Sequence, residues 1–226
     1  MASPNPSRRL VLMANGLFFL LFATDILGLF TSLKSHPKNP LPGHFVGWAG
    51  GDWLWVLGIG IGGLVAHGLG TRLFQRWVAR HRFAMWRSYH EAMAIFVEDN
   101  VRTYFAARVN RVYGMVLAPL LEEVFSRWVP LLVFYSHPIL GVALVLFGWF
   151  SWSVSHVSQL TGSARRLRVV ELLVFPSWLY LGLMVGTFLG THNRFAPLLA
   201  STLAHALHNA LYFYSLRYRR LLSGSG

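Results

Sequence analysis

The 226-residue chain is 54% hydrophobic and only 12% charged, where a soluble domain carries about 25% charged residues. With a mean hydropathy of +0.47, that balance excludes an ordinary water-soluble globule and predicts an all-α, polytopic transmembrane helix bundle. No cysteine is present, which excludes thiol nucleophiles, disulfides and Cys-ligated metals; the net charge of +12, from 18 arginines and two lysines, fits the bias of basic residues toward cytoplasmic loops before it fits nucleic acid.

Met1 to Arg9 is short, polar and basic. Residues 10–33 are long enough to cross a bilayer at about 1.5 Å per residue. Their apolar run is too long for a signal peptide, and no small-residue cleavage site follows it. Asp25 is a lone acid here, which reads either as functional or helix-pairing or as merely facing the bundle. Residues 34–45 hold Pro37, Pro40 and Pro42 and form a loop, because no helix tolerates that density of proline.

A second span is predicted at about 46–70, with Trp48, Trp53 and Trp55 as an interfacial belt. Its glycines Gly58, Gly60, Gly62 and Gly63 suit close helix packing. Over 71–112 eight arginines alternate with aromatic and aliphatic residues such as Phe74, Trp77, Trp86 and Tyr89. This pattern predicts amphipathic helices lying on the inner membrane surface, drawn by anionic headgroups. His90 and Glu91 read as solvated.

The third span, about 113–135, contains Glu122, Glu123 and Arg127 inside an otherwise apolar stretch. A turn at His137-Pro138 leads to a fourth span at about 139–160, which contains Trp152 and His156. Arg165, Arg166 and Arg168 predict a basic loop, and a fifth span at about 169–190 opens with Glu171 at its N-terminus. The sixth, about 195–216, contains His205, His208 and Asn209. The chain closes on Arg217, Arg219, Arg220 and an appended-looking Ser-Gly-Ser-Gly. Six spans put both termini on one side; 16 of the basic residues fall on that side, which predicts cytoplasmic termini. The chain divides into an N-terminal two-span region with its basic amphipathic segment (1–112), a four-helix core (113–216) and a basic tail (217–226).

The charges of the third span need partners, since each costs roughly 2.5–3.5 kcal/mol at the centre of a membrane helix. Glu123 and Arg127 stand at i and i+4 and share a helix face, so they can pair. Glu122 points about 100° away and is free of that arginine. It lies roughly 10–14 Å below the cytoplasmic edge by helix rise. His156, near the inner end of the fourth span, and His205 and Asn209, one turn apart on the sixth, fall in the same cytoplasmic half of the bilayer. A carboxylate beside an imidazole can activate a water. His205 and Asn209 can donate to a developing oxyanion. Glu122, His156 and His205 are equally plausible zinc ligands, so hydrolysis with no cofactor and hydrolysis at a divalent metal both remain open. His208 reads as a helix-bonding residue.

Three motifs carry a resemblance. Ala118-Pro119-Leu-Leu-Glu122-Glu123-Val-Phe-Ser-Arg127, Trp152-Ser-Val-Ser-His156 and His205-Ala-Leu-His-Asn209 stand in order on three predicted spans. They resemble the Glu-Glu-x-x-x-Arg, Phe-x-x-x-His and His-x-x-x-Asn motifs of the glutamate-type intramembrane proteases, which include the type II CAAX prenyl endopeptidases and the bacterial CPBP (Abi) proteins. The chain departs from that pattern in having Trp152 for phenylalanine and Ser126-Arg127-Trp128 where many bacterial members have Phe-Arg-Gly. The resemblance covers about residues 113–216. It implies that Glu122 and His156 activate the attacking water, that Arg127 holds Glu123, and that His205 and Asn209 stabilise the oxyanion.

The expectation is therefore an integral membrane endopeptidase acting on a membrane-bound protein or peptide, with the bilayer as its other partner and no nucleic acid. A non-proteolytic scaffold or bacteriocin-immunity protein that uses the polar motif for helix packing is the alternative. A transporter is disfavoured, because no internal repeat or paired broken helix is visible.

Overall fold

The computed structural model describes residues 47–81, 86–87, 89–95, 105–157, 160 and 162–222. The expected first span at 10–33 with Asp25, the loop at 34–45, parts of the 71–112 region and the end of the tail lie outside the described residues.

The elements in order are α1 (Gly50–His81), α2 (Arg108–Val112), π1 (Tyr113–Leu117), α3 (Ala118–Glu123), π2 (Val124–Trp128), α4 (Val129–Ser136), α5 (Pro138–Ser155), α6 (Gly162–Val174), α7 (Pro176–Thr191) and α8 (Ala196–Leu222). Residues 86–87 and 89–95 are also helical. Among the described residues there is no strand, so the all-α expectation stands. α1, α7 and α8 pack together as one group, and α4 and α5 as a hairpin with π2 against α5.

The molecule is apolar outside and charged inside. Leu54, Ile61, Leu69 and Leu73 of α1, Ile139 and Phe150 of α5, and Trp178 and Leu189 of α7 are all exposed. Glu123, Arg127, Glu171 and His205 are buried. Among the described residues two helical stretches are long and apolar enough to cross a membrane by length and composition, Gly50–His81 and Ala164–Thr191, the second with a joint at Pro176. The other expected spans differ for physical reasons. The third carries three charges and is broken by π turns, the apolar helix Pro138–Val154 falls short of that length, and α8 dilutes its apolar run with His205, His208 and Asn209.

Local chemistry sets the joints. His137 alone links α4 to α5. Gly141 lets that hairpin close, since a Cβ there would lie 2.2 Å from Phe134 Cα. The fourth span ends earlier than expected, at Ser155, with His156 in the turn that follows. Pro176 interrupts the ladder between α6 and α7.

Two expectations need correction. The arginine-rich stretch from 162 is helix rather than loop, because Ala164 and Leu167 point inward and are buried. Glu171 is accordingly in the third turn of α6, not at a helix N-terminus. It is buried, and its Oε2 accepts hydrogen bonds from Tyr89 Oη and, at 2.7 Å, from Arg168 Nη1. Burial pushes the Tyr89 hydroxyl above its ordinary value, so it remains a donor. His90 and Glu91 are exposed, as expected of solvated residues.

Candidate active site

Two prolines shape the acidic helix. Pro119 and Pro130 are fully buried; each lacks an N–H and crowds the carbonyl of the preceding turn. The turn before each is widened to π geometry, which relieves that crowding. α3, with both glutamates at its end, is held between the two widened turns.

Glu123 is completely buried. Its Oε1 accepts Arg127 Nη1 at 2.7 Å and His205 Nδ1 at 2.9 Å, and its Oε2 accepts the Ser201 hydroxyl. Ser201 and His205 are four residues apart on α8 and share its face. Arg127, also buried, lies with its guanidinium 4.7 Å from the Trp152 ring centre and 5.2 Å from that of Tyr180. A buried ion pair survives only when hydrogen bonds meet both charges, and Glu123 meets three donors here.

Glu122 faces the other way, with 29% of its side chain exposed. Its Oε2 accepts the Trp152 indole N–H at 2.6 Å. His156 Nε2 lies 3.6 Å and His205 Nε2 3.7 Å from the same oxygen. Gly148 permits this approach of α5, since a Cβ there would sit 2.7 Å from the Ser126 carbonyl oxygen. Trp152 stands one turn further along.

The hydrogen bonds fix the imidazole tautomers. His156 Nδ1 lies 2.8 Å from the Trp152 carbonyl, which can only accept, so Nδ1 carries the proton. His205 Nδ1 donates to the Glu123 carboxylate in the same way. In the neutral rings both Nε2 atoms are therefore bare, and both face Glu122 Oε2. Three basic atoms thus converge on one spot. The cluster has two acids against Arg127, and one proton held among Glu122, His156 and His205 brings it to neutrality. That arrangement can take a proton from a water and return it.

Glu122, Glu123, Arg127, His156 and His205 are brought together. Asn209, one turn beyond His205, is held elsewhere, its amide donating to the Gly114 carbonyl in π1 at 3.2 Å; the amide carries a second N–H. His208, three residues after His205, stacks on His67 of α1 with ring centres 3.6 Å apart. Of the candidate metal ligands Glu122, His156 and His205, both imidazoles aim at a carboxylate oxygen that already accepts the Trp152 N–H. No group of three among the described residues is arranged to hold a metal ion.

Sequence reasoning missed three contributors. Trp152 is a donor to Glu122 rather than a bulky stand-in for phenylalanine, and Ser201 is a donor to Glu123. The spacing of Ser201 from His205 was a usable signal. Tyr180, fully buried with its ring 5.0 Å from that of His205, left none in its apolar run.

No family model, no curated protein and no solved structure matches the chain.

Proposed function

We propose that the protein is a glutamate-type intramembrane endopeptidase, similar to the CAAX-protease-like CPBP proteins, which hydrolyses a peptide bond of a membrane-associated protein or peptide. The observation that carries this reading is the convergence of two imidazole Nε2 atoms on the part-exposed carboxylate of Glu122. A pure packing motif has no use for three basic atoms sharing one proton at one accessible point.

In this reading a water binds between Glu122 and His156. Its oxygen attacks the scissile carbonyl carbon while its proton passes to the Glu122–His156 pair. The carbonyl oxygen becomes an oxyanion, met by the second Asn209 N–H and by His205 in its doubly protonated form. Collapse breaks the C–N bond; the held proton goes to the leaving nitrogen, giving an acid and an amine. Glu123 and Arg127 do not touch the substrate but fix the orientation of His205.

The apolar exterior and the two membrane-capable helices support a bilayer-embedded molecule of about six spans. The arginine bias supports cytoplasmic termini and a site opening toward the cytoplasm. A second reading as a scaffold draws on the Trp152–Glu122 and Asn209–Gly114 bonds, which already occupy two of the polar groups.

Glu122→Gln separates the two readings, because it keeps shape and removes the base. New protein termini in host membranes are to be compared between cells carrying the native chain and the variant at equal level. Termini that vanish in the variant, a loss of about 10²–10⁴ in rate, establish proteolysis. A variant that complements a deletion while no terminus changes sinks it.

A further inference from the structure

We propose that His67, on α1 and outside all three motifs, is a positioning residue for this site, acting through Tyr180 to hold the His205 imidazole in its working orientation. The activity part of the test rests on the hydrolytic reading above; the structural part does not.

α1 reaches the back of the site along a face cleared of side chains. A Cβ on Gly60 would lie 2.8 Å from Leu203 Cδ2, and one on Gly63 would lie 2.4 Å from Leu183 Cδ1. Gly70 is equally closed, against the Phe175 ring. Gly58 and Gly62, on the other face, meet open space. The spacing of Gly60, Gly63 and Gly70 marks one helix face, and His67 stands on it, one turn beyond Gly63. α1 is thereby pressed against both α7 and α8, and His67 is delivered between them.

There it makes two contacts of different kinds. Its ring lies flat on His208, 3.6 Å between centres and 9° between planes. Its Nδ1 lies 2.7 Å from the Tyr180 hydroxyl in a buried hydrogen bond. Tyr180 is the common neighbour of the catalytic groups. Its ring stacks on His205 at 5.0 Å and 23°, while the Arg127 guanidinium faces it at 5.2 Å. On its other side His205 meets the edge of Trp152 at 6.2 Å.

A stacked ring resists tilting but slides easily in its own plane. The hydrogen bond from its hydroxyl to His67 adds a directional stop to the sliding of Tyr180. His205 must keep Nδ1 on Glu123 while Nε2 faces Glu122, which demands that its ring neither rotate nor shift. Misplacement of a reacting group by about 1 Å costs roughly 100-fold in rate, so a hydrogen bond two residues removed from the chemistry can be felt in turnover.

The test compares His67→Phe, which keeps a flat ring but loses the bond, with His67→Asn, whose amide lies near the Nδ1 position and can restore it. Tyr180→Phe removes the same bond from the other side and serves where a His67 variant does not fold. The expected result is a fall of about 10-fold in kcat with KM unchanged for His67→Phe and Tyr180→Phe. The double variant should be no worse than either single one, and His67→Asn should recover most of the rate. Nitrogen NMR of histidine-labelled protein in micelles gives the second reading, with His205 a single Nδ1–H tautomer in the native chain and a mixture in both Phe variants. An unchanged His205 spectrum in folded His67→Phe and Tyr180→Phe overturns the proposal whatever the substrate. A changed spectrum in a protein whose host membranes show no terminus that depends on Glu122 leaves the positioning role standing and removes the hydrolytic one.

Discussion

Glu122 and Glu123 are neighbours in sequence and opposites in surroundings. Glu123 is sealed from solvent and holds an arginine, a histidine and a serine. Glu122 is part-exposed and touches one indole N–H and two bare imidazole nitrogens. A single residue step along the helix separates structure from chemistry. The 100° between consecutive residues sends one carboxylate into a buried ion pair in which three donors meet the acid. The other faces an opening where a proton can come and go.

That contrast predicts unequal consequences for unequal substitutions. Arg127→Met leaves Glu123 buried without its counter-charge, and should cost about 3–5 kcal/mol, read as lost thermal stability in detergent micelles. Glu122→Gln should change the same melting curve by less than about 1 kcal/mol. Equal losses would show that both acids are structural and erase the comparison. Ser201→Ala removes one donor from Glu123 and should cost about 1.5–3 kcal/mol, with cleavage reduced only as far as folded protein is reduced. Trp152→Phe removes the indole N–H from Glu122 and keeps a ring against Arg127 and His205. It should cost about 1 kcal/mol and retain cleavage, since the indole is a donor to the base and not the base itself. A large stability loss from Trp152→Phe would move Glu122 into the structural class.

Much of this arrangement was legible from spacing. The i, i+4 relation of Glu123 and Arg127 and that of His205 and Asn209 need only the helix repeat, and the charge deficit of the chain announced an unusual solvent. What spacing does not carry is which side chain crosses to another helix. Tyr180 and His67 are 113 residues apart, and neither belongs to a pattern that would pair them. Asn209 finds the carbonyl of Gly114 in π1, a partner that no spacing marks. The helical α6 was hidden because its arginines suggested a loop, while the residues between them supply its buried face. Six apolar runs predict six spans, yet among the described residues length and composition single out only two helices, because π turns cut the third run into short pieces and the fourth is a shorter apolar helix.

A π turn holds one residue more than the α turn it replaces. Two such turns bracket the six residues of α3, and each uses its extra residue to widen the helix rather than to advance it. Loss of one residue from π1 or from π2 would restore an ordinary α turn with the flanking faces kept in register, and would return the crowding that Pro119 or Pro130 imposes. The widened turns therefore let the chain carry one residue more on each side of the carboxylate pair without turning Glu122 and Glu123 out of the bundle. The aim of the two acids tolerates a change of length that an unbroken α ladder would not.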